Sequence, residues 1–259
     1  GSDAGALRAT ARRDGDRYLL TGQKQFCTRG AEADIILVMA RHATSGGQPG
    51  RGPVSAFVVE KPAEGLRPLR AERKMALNAS PTWQLAFEDC PVPAANRLGE
   101  EGDGMRIALS ALDGGRLTLA ACSVGLAQAA LDAAIAFARD RSQFGKRIAD
   151  HQGIQFMLAD MATGVEASRA LVRRATELRD AGAPYSREAS MAKLFCSDTA
   201  MRVATDAVQI HGGYGYVEEF PVERYMRESK ALQIVEGTNQ IQRLVIGRSL
   251  VPPEPARTS

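Results

Sequence analysis

The sequence predicts an α+β protein in two parts, a β-barrel or β-sandwich over residues 1–99 and a four-helix bundle over residues 100–259. Two observations predict it. Before residue 100, short apolar runs recur at close intervals with no helical pattern between them, so strands are left to pair with strands. From Gly104 onward the apolar residues recur at helical spacing, and the stretch 91–102 separates the two patterns.

Taken in order, residues 7–13 and 17–20 flank Asp14-Gly15-Asp16 and are expected to form a hairpin. Residues 35–40 and 56–60 read as short apolar strands; 44–53, rich in Gly, Ser, Pro and Gln, reads as a mobile exposed loop. Residues 82–87 alternate, with Trp83, Leu85 and Phe87 on one face. Beyond the boundary, helices are expected over 105–113 and 116–140, broken or bent at Gly114-Gly115. A helix over 151–180 carries Ile154, Leu158, Met161, Val165 and Val172 on one stripe. The next starts at Ser186, has Glu188 in its first turn, and stops at Gly212-Gly213. Residues 251–259 are Pro-rich and expected to fray.

Composition narrows the function. With 259 residues, 44% hydrophobic and 24% charged, the chain is a soluble globular protein rather than a disordered or fibrous one. A net charge of +3 and isolated pairs such as Arg12-Arg13 and Arg173-Arg174 read as solvated faces, not a nucleic-acid surface. Cys27, Cys90, Cys122 and Cys196 lack CxxC spacing, which fits free thiols in a reducing compartment, cytoplasmic or mitochondrial matrix. His42, His151 and His211 are too scattered for local metal ligation, and no metal is expected. GxGxxG, GxxxxGK[ST] and GxSxG do not occur, which argues against a Rossmann site, a P-loop and a hydrolase nucleophile elbow. Residues 117–138 are almost continuously apolar, but Gln128, Asp132 and the many alanines favour a helix inside a bundle over a membrane span.

The segment Ile234-Val235-Glu236-Gly237-Thr238-Asn239-Gln240 is the richest in chemistry. Thr238 and Asn239 are N-cap types and are expected to open a short helix through Gln242, Leu244, Val245 and Ile246. A helix start there offers unpaired N–H groups, and Gly237 lets a flat ring or thioester approach the backbone. Read locally, Glu236 is either a lone general base or a solvated acid in an ordinary turn.

Across nearly its whole length the chain resembles the acyl-CoA dehydrogenase family. Gly1-Ser2-Asp3 looks like the end of that family's Thr-Glu-x-x-Ala-Gly-Ser-Asp signature. Gly22-Gln23-Lys24-Gln25-Phe26-Cys27-Thr28, Phe87-Glu88-Asp89-Cys90-Pro91-Val92-Pro93, Arg141-Ser142-Gln143-Phe144-Gly145 and Gln209-Ile210-His211-Gly212-Gly213-Tyr214-Gly215 follow in the family's order. The resemblance implies a middle β-domain and a C-terminal helical bundle, with a further helical domain normally preceding them; it places the start of this chain inside the flavin signature. A chain without that domain is expected to hold FAD weakly.

The family reaction, FAD-dependent α,β-dehydrogenation of an acyl-CoA thioester, would make Glu236 the catalytic base. Some relatives carry the base at the position of Gly114-Gly115, where neither glycine can serve. By the same resemblance Ser2, Phe26, Cys27, Thr28, Arg141, Gln143, Phe144, Gln152, Gln209, Gly212, Gly213, Thr238 and Gln240 would contact FAD, Phe26 standing where a Trp is usual. Ser2, Ser80, Asp113, Arg116 and Gly237 would contact the acyl-CoA substrate. The residues alone leave core or turn roles open for Phe26 and Ser80, a helix-end role for Asp113 and a structural role for His211. Electrons would pass to an electron-transfer flavoprotein, and the family pattern is a homo-oligomer, as a tetramer.

The stretches Asn78-Ala79-Ser80-Pro81-Thr82 and Gly114-Gly115-Arg116 look most like isobutyryl-CoA dehydrogenases, which points to a short or branched acyl chain from fatty-acid or branched-chain amino-acid breakdown. A non-catalytic flavin-binding or assembly subunit and an acyl-CoA oxidase are the alternatives.

Overall fold

The computed structural model describes residues 1–43 and 52–251. Two compact units make up the chain, Gly1–Ala111 and Leu112–Ser259. Of the expected loop at 44–53 only Gly52 and Pro53 are described, and of the expected frayed end only Val251.

Among the described residues the first unit carries seven strands: β1 (Thr10–Asp14), β2 (Arg17–Thr28), β3 (Ile35–His42), β4 (Val54–Glu60), β5 (Leu66–Ala71), β6 (Thr82–Pro93) and β7 (Arg97–Leu98). They form one mixed sheet in the order β5-β6-β2-β1-β3-β4-β7, mixed because β1 and β3 run parallel. The β1–β2 hairpin pairs Asp14 with Arg17 across a two-residue loop, with Gly15 at φ +62°, the positive φ that tight hairpin turns need. Tyr18, Leu20, Phe57, Val59, Leu85 and Phe87 fill the core, each contributing about 1.5–3 kcal/mol when fully buried. Trp83 is only half-buried, and its indole N–H donates to the Glu32 carboxylate at 3.0 Å. Strand β5 has no counterpart in the sequence reading. It is an exposed edge strand with Arg67, Pro68 and Arg70, so no buried face imprints an alternating pattern on it.

Among the described residues five helices follow: α1 (Gly104–Asp140), α2 (Gln152–Asp180), α3 (Ser186–His211), α4 (Val222–Leu232) and α5 (Asn239–Leu250). Between α1 and α2 lies a two-stranded ribbon, β8 (Ser142–Gln143) with β9 (Lys146–Arg147), turning through Phe144 and Gly145 at φ +53° and +79°. The core of the helical unit is small-residue packing: Ala127, Ala130 and Ala134 of α1 meet Met161 and Val165 of α2 and Val203 of α3, and Val222 brings in α4. That buried stripe explains the apolar run at 117–138. Among the described residues α1 is the one helix long and apolar enough to span a membrane by length and composition.

Of the break or bend expected at Gly114-Gly115, the break does not occur: α1 runs through both glycines. Two glycines cost a helix about 1 kcal/mol each relative to alanine, which the packing along the rest of α1 outweighs. Gly212 ends α3 at φ +58°. Helix α4, strongly polar with few buried residues, was not anticipated.

Candidate active site

The loop from Gln233 to Thr238 joins α4 to α5. The Asn239 N–H donates to the Gln233 carbonyl at 3.0 Å and closes it, while Thr238 caps α5 by accepting from the Ile241 N–H at 3.3 Å. Inside the loop Glu236 and Gly237 are consecutive left-handed residues, at φ +57° and +87°. For a non-glycine residue that conformation costs roughly 1–2 kcal/mol, so something must hold it. Two fully buried side chains do. Gln242 Nε2 donates to the carbonyls of Glu236 at 3.2 Å and Gly237 at 2.9 Å, and Lys193 Nζ, from α3, donates to the Gly237 carbonyl at 2.9 Å. A Cβ at Gly237 would stand 2.8 Å from Gln242 Nε2 and would sit on a backbone at φ +87°, so a side chain there would be strained and would press on the Gln242 amide.

The Glu236 carboxylate rests on α1 at Gly115, where an added Cβ would lie 2.5 Å from Oε2 and 3.0 Å from Cδ. Gly115 therefore makes room for the acid. One residue on, Arg116 is buried, and its Nη1 donates to Asp113 Oδ1 at 2.8 Å, which also accepts from Ser186 Oγ at 2.9 Å. Arg116 Nε is buried with no hydrogen-bond partner among the described residues. Asp113 is thus engaged within the helical unit, between α1 and the start of α3.

Lys193 closes this polar cluster from below. Its ammonium also donates to Asn239 Oδ1 at 2.7 Å, and Asn239 Nδ2 donates to Ser197 Oγ at 2.9 Å and Asp198 Oδ1 at 2.6 Å. Burial pushes the Lys193 pKa down to about 8, against the upward pull of Asp198 and then Glu236, with Arg116 adding to the fall. Sequence reading missed Lys193, Asn239 as a buried hub, and Gln242 as a clamp. The available signal was Lys193 itself, a charge on the apolar stripe that Ala189, Ala192, Cys196 and Ala200 continue along α3.

A second site in the helical unit is a cavity of about 490 Å³ between the ends of α1 and α3. Arg141, Gln143, Gly212 and Gly213 line it, and the Arg141 guanidinium lies 5.4 Å from the Tyr214 ring centre. Cβ atoms added at Gly212 or Gly213 would meet nothing within 4 Å, so the backbone is open to an incoming group. His211 is locked instead: Nδ1 bonds the Ala207 carbonyl at 2.8 Å, the ring stacks on Phe137 at 4.3 Å, and burial favours the neutral form. Phe144, Gln152 and Gln209 are exposed and are not among that cavity's lining residues. Thr238 and Gln240 line a separate polar cavity of about 250 Å³ with Lys230 and Arg243.

In the first unit, β2 and β6 slip by one residue between the Lys24–Leu85 and Cys27–Trp83 pairs. Gln25 and Phe26 therefore oppose Gln84 alone, a bulge that puts Phe26 at φ +58° and leaves it 70% exposed. Thr28 is exposed beside it; Cys27 is half-buried, its thiol pKa raised by burial against the lowering influence of Lys24. Ser80 is half-buried in a turn whose carbonyl accepts from Lys74 Nζ, and Ser2 is exposed ahead of the short turn Ala4–Ala6.

The chain belongs to the acyl-CoA dehydrogenase family. The acyl-CoA dehydrogenase C-terminal domain matches residues 102–251, and the middle domain matches residues 1–90. A Bacillus subtilis protein named acyl-CoA dehydrogenase is 50% identical over 251 residues, covering 97% of this chain and 65% of that protein. The solved structure of butyryl-CoA dehydrogenase from Megasphaera elsdenii superposes with a TM-score of 0.92 at 45% identity, covering 96% of this chain and 65% of that one. A structure described as the electron transferring flavoprotein of Acidaminococcus fermentans reaches 0.93 at 50% identity, covering 98% and 66%. Members of this family are FAD-dependent flavoproteins.

Proposed function

We propose that this chain is the middle and C-terminal part of an FAD-dependent acyl-CoA dehydrogenase acting on a short or branched acyl thioester, with Glu236 as the catalytic base. The observation that carries the reading is the Glu236 carboxylate, held in a left-handed turn and seated over Gly115. The residues present fit the cofactor: the cavity pairs a fixed cation, Arg141, with two glycines whose backbone is open, which suits a pyrophosphate. Arg141, Gln143, Gly212 and Gly213 would hold that part of FAD.

FAD, when bound, supplies the acceptor for the β-hydrogen, which leaves as hydride. Glu236 removes the α-proton, the step that needs a positioned carboxylate. The Glu236 N–H donates to no protein carbonyl among the described backbone hydrogen bonds, and it is free to polarise the thioester carbonyl as enolate charge develops. Ile234 and Val235, both exposed, give the loop an apolar approach of modest size, which suits a short or branched chain. An electron-transfer flavoprotein as electron acceptor is supported by the Acidaminococcus relative; Phe144, Gln152 and Gln209 are exposed, so they would be accessible to a second copy in a homo-oligomer.

The test is Glu236→Gln in FAD-loaded protein mixed anaerobically with acyl-CoA. The amide keeps the shape without a basic oxygen, so flavin bleaching should slow by about 10²–10⁴-fold while acyl-CoA still binds. Bleaching at the parent rate would overturn the assignment.

A further inference from the structure

The Glu236 turn is strained, and among the described residues no backbone N–H reaches the carbonyls of its two left-handed residues. Within the loop, the Val235 N–H donates to the Ala231 carbonyl at 3.0 Å before the two residues, and the Asn239 N–H to the Gln233 carbonyl closes the loop around them without bonding either one. The carbonyls of the two left-handed residues point instead at side chains. Gln242 reaches both from the first turn of α5, and Lys193 reaches Gly237 from α3. Lys193 is wholly buried, and its remaining partner, Asn239 Oδ1, belongs to the first residue of α5, directly after the Thr238 cap.

We propose that Lys193 and Gln242 are positioning residues for Glu236: together they clamp the Glu236-Gly237 carbonyls so that the carboxylate is held over Gly115. The proposal rests on the assignment of Glu236 as base. The physical case is that of cost. A buried ammonium is expensive unless paired, and here Asp198 and Glu236 are its nearby anions, with Arg116 opposing. A residue needed only to fill the core of α3 would be apolar, as Ala189, Ala192 and Cys196 are. The charge instead supplies a strong donor to a carbonyl that the left-handed turn leaves facing inward, and charge-assisted bonds of this kind are roughly twice as strong as neutral ones. Gln242 is fully buried for the same end, and its Oε1 is left without a partner while Nε2 makes both bonds.

The experiment uses the full-length, FAD-loaded protein with Lys193→Met and, in parallel, Gln242→Met, each keeping an unbranched side chain. The first readout is amide hydrogen exchange without acyl-CoA. Exchange at Val235 and Asn239 should rise about tenfold or more in each variant, while amides in the middle of α2 and α3 keep their parent rates. The second is steady-state turnover: kcat should fall by about ten- to a hundredfold with KM changed by less than about threefold, because a misplaced base loses rate before it loses binding. Parent-like protection of the loop, or acceleration spread equally through α3, would overturn the proposal, since each is what a merely structural role gives. A loosened loop with parent-like kcat would overturn it as well. Gln242→Met leaves the buried charge in place, so it decides the clamp even where Lys193→Met does not fold. If Glu236→Gln bleaches normally, the base assignment fails on its own, whatever the exchange rates show.

Discussion

Phe26 and Glu236 adopt the same uncommon backbone conformation, at φ +58° and +57°, by opposite means. Phe26 gets it from the sheet: the extra residue between two registered strand pairs forces one position of β2 out of the ladder, and neighbouring backbone bonds hold it there. No side chain is needed, and the ring is left facing solvent. Glu236 sits in a loop with no ladder beside it, so its turn depends on Lys193 and Gln242, donors buried at 0% exposure. The difference teaches that a bulge stores a side chain's direction in the register of two strands, whereas a loop stores it in tertiary contacts. The first survives most single substitutions nearby; the second does not.

That contrast can be broken most sharply at Gly115. Gly115→Ala should push the Glu236 carboxylate off α1 and lower kcat by about a hundredfold, since a shift of about 1 Å at a reacting group costs that much. Melting temperature should hold or change little, because the alanine's helix preference offsets the crowding. Gly114→Ala is the control. Its Cβ meets nothing within 4 Å, so it should stabilise the free protein by about 1 kcal/mol, read from denaturant unfolding. If both variants lose activity alike, the carboxylate is not seated where it is described.

The bulge predicts a reversed sign. Phe26→Gly relieves a left-handed aromatic residue that buries little, and should raise stability by up to about 1 kcal/mol while weakening FAD retention, measured by flavin absorbance after gel filtration. A loss of several kcal/mol would mean that the ring, not the register, holds the bulge. The smallest effect is at the helix start. Thr238→Ala removes the cap on Ile241 and should cost about 1 kcal/mol, with the loop's exchange protection reduced less than by Lys193→Met.

Much of the fold was legible before the structure. The hairpin at Gly15 could be read because a positive-φ glycine between two apolar runs has one economical use, and the ends of α2 and α3 because glycine stops helices. Strand β5 was not, because it is largely exposed and no buried face writes a period into its sequence; helix α4 does carry a buried stripe, Val222, Tyr225, Met226, Ser229 and Leu232, and the signal missed there was that helical spacing within a short, charge-rich segment. At the site, Glu236, Gly237 and Thr238 were legible as a unit, being adjacent in the chain and locally coupled. Cofactor-type residues were legible only through the family's motifs, and the structure gathers Arg141, Gln143, Gly212 and Gly213 into one cavity while leaving Phe144, Gln152 and Gln209 exposed outside that set.

By itself, then, the sequence determined where strand pairing gives way to helices, where turns fall, and that a lone carboxylate stands at a capped helix start. These follow from propensities and periods that act over one or two turns of chain. Only the tertiary structure decided that α1 runs through Gly114-Gly115, and that the second of these glycines is the seat of a carboxylate more than a hundred residues later. Only it placed Lys193 under Gly237, 44 residues away. The reason is physical: a glycine's helix penalty and a lysine's burial penalty are both local costs, and what repays them is contact with parts of the chain that only packing brings near.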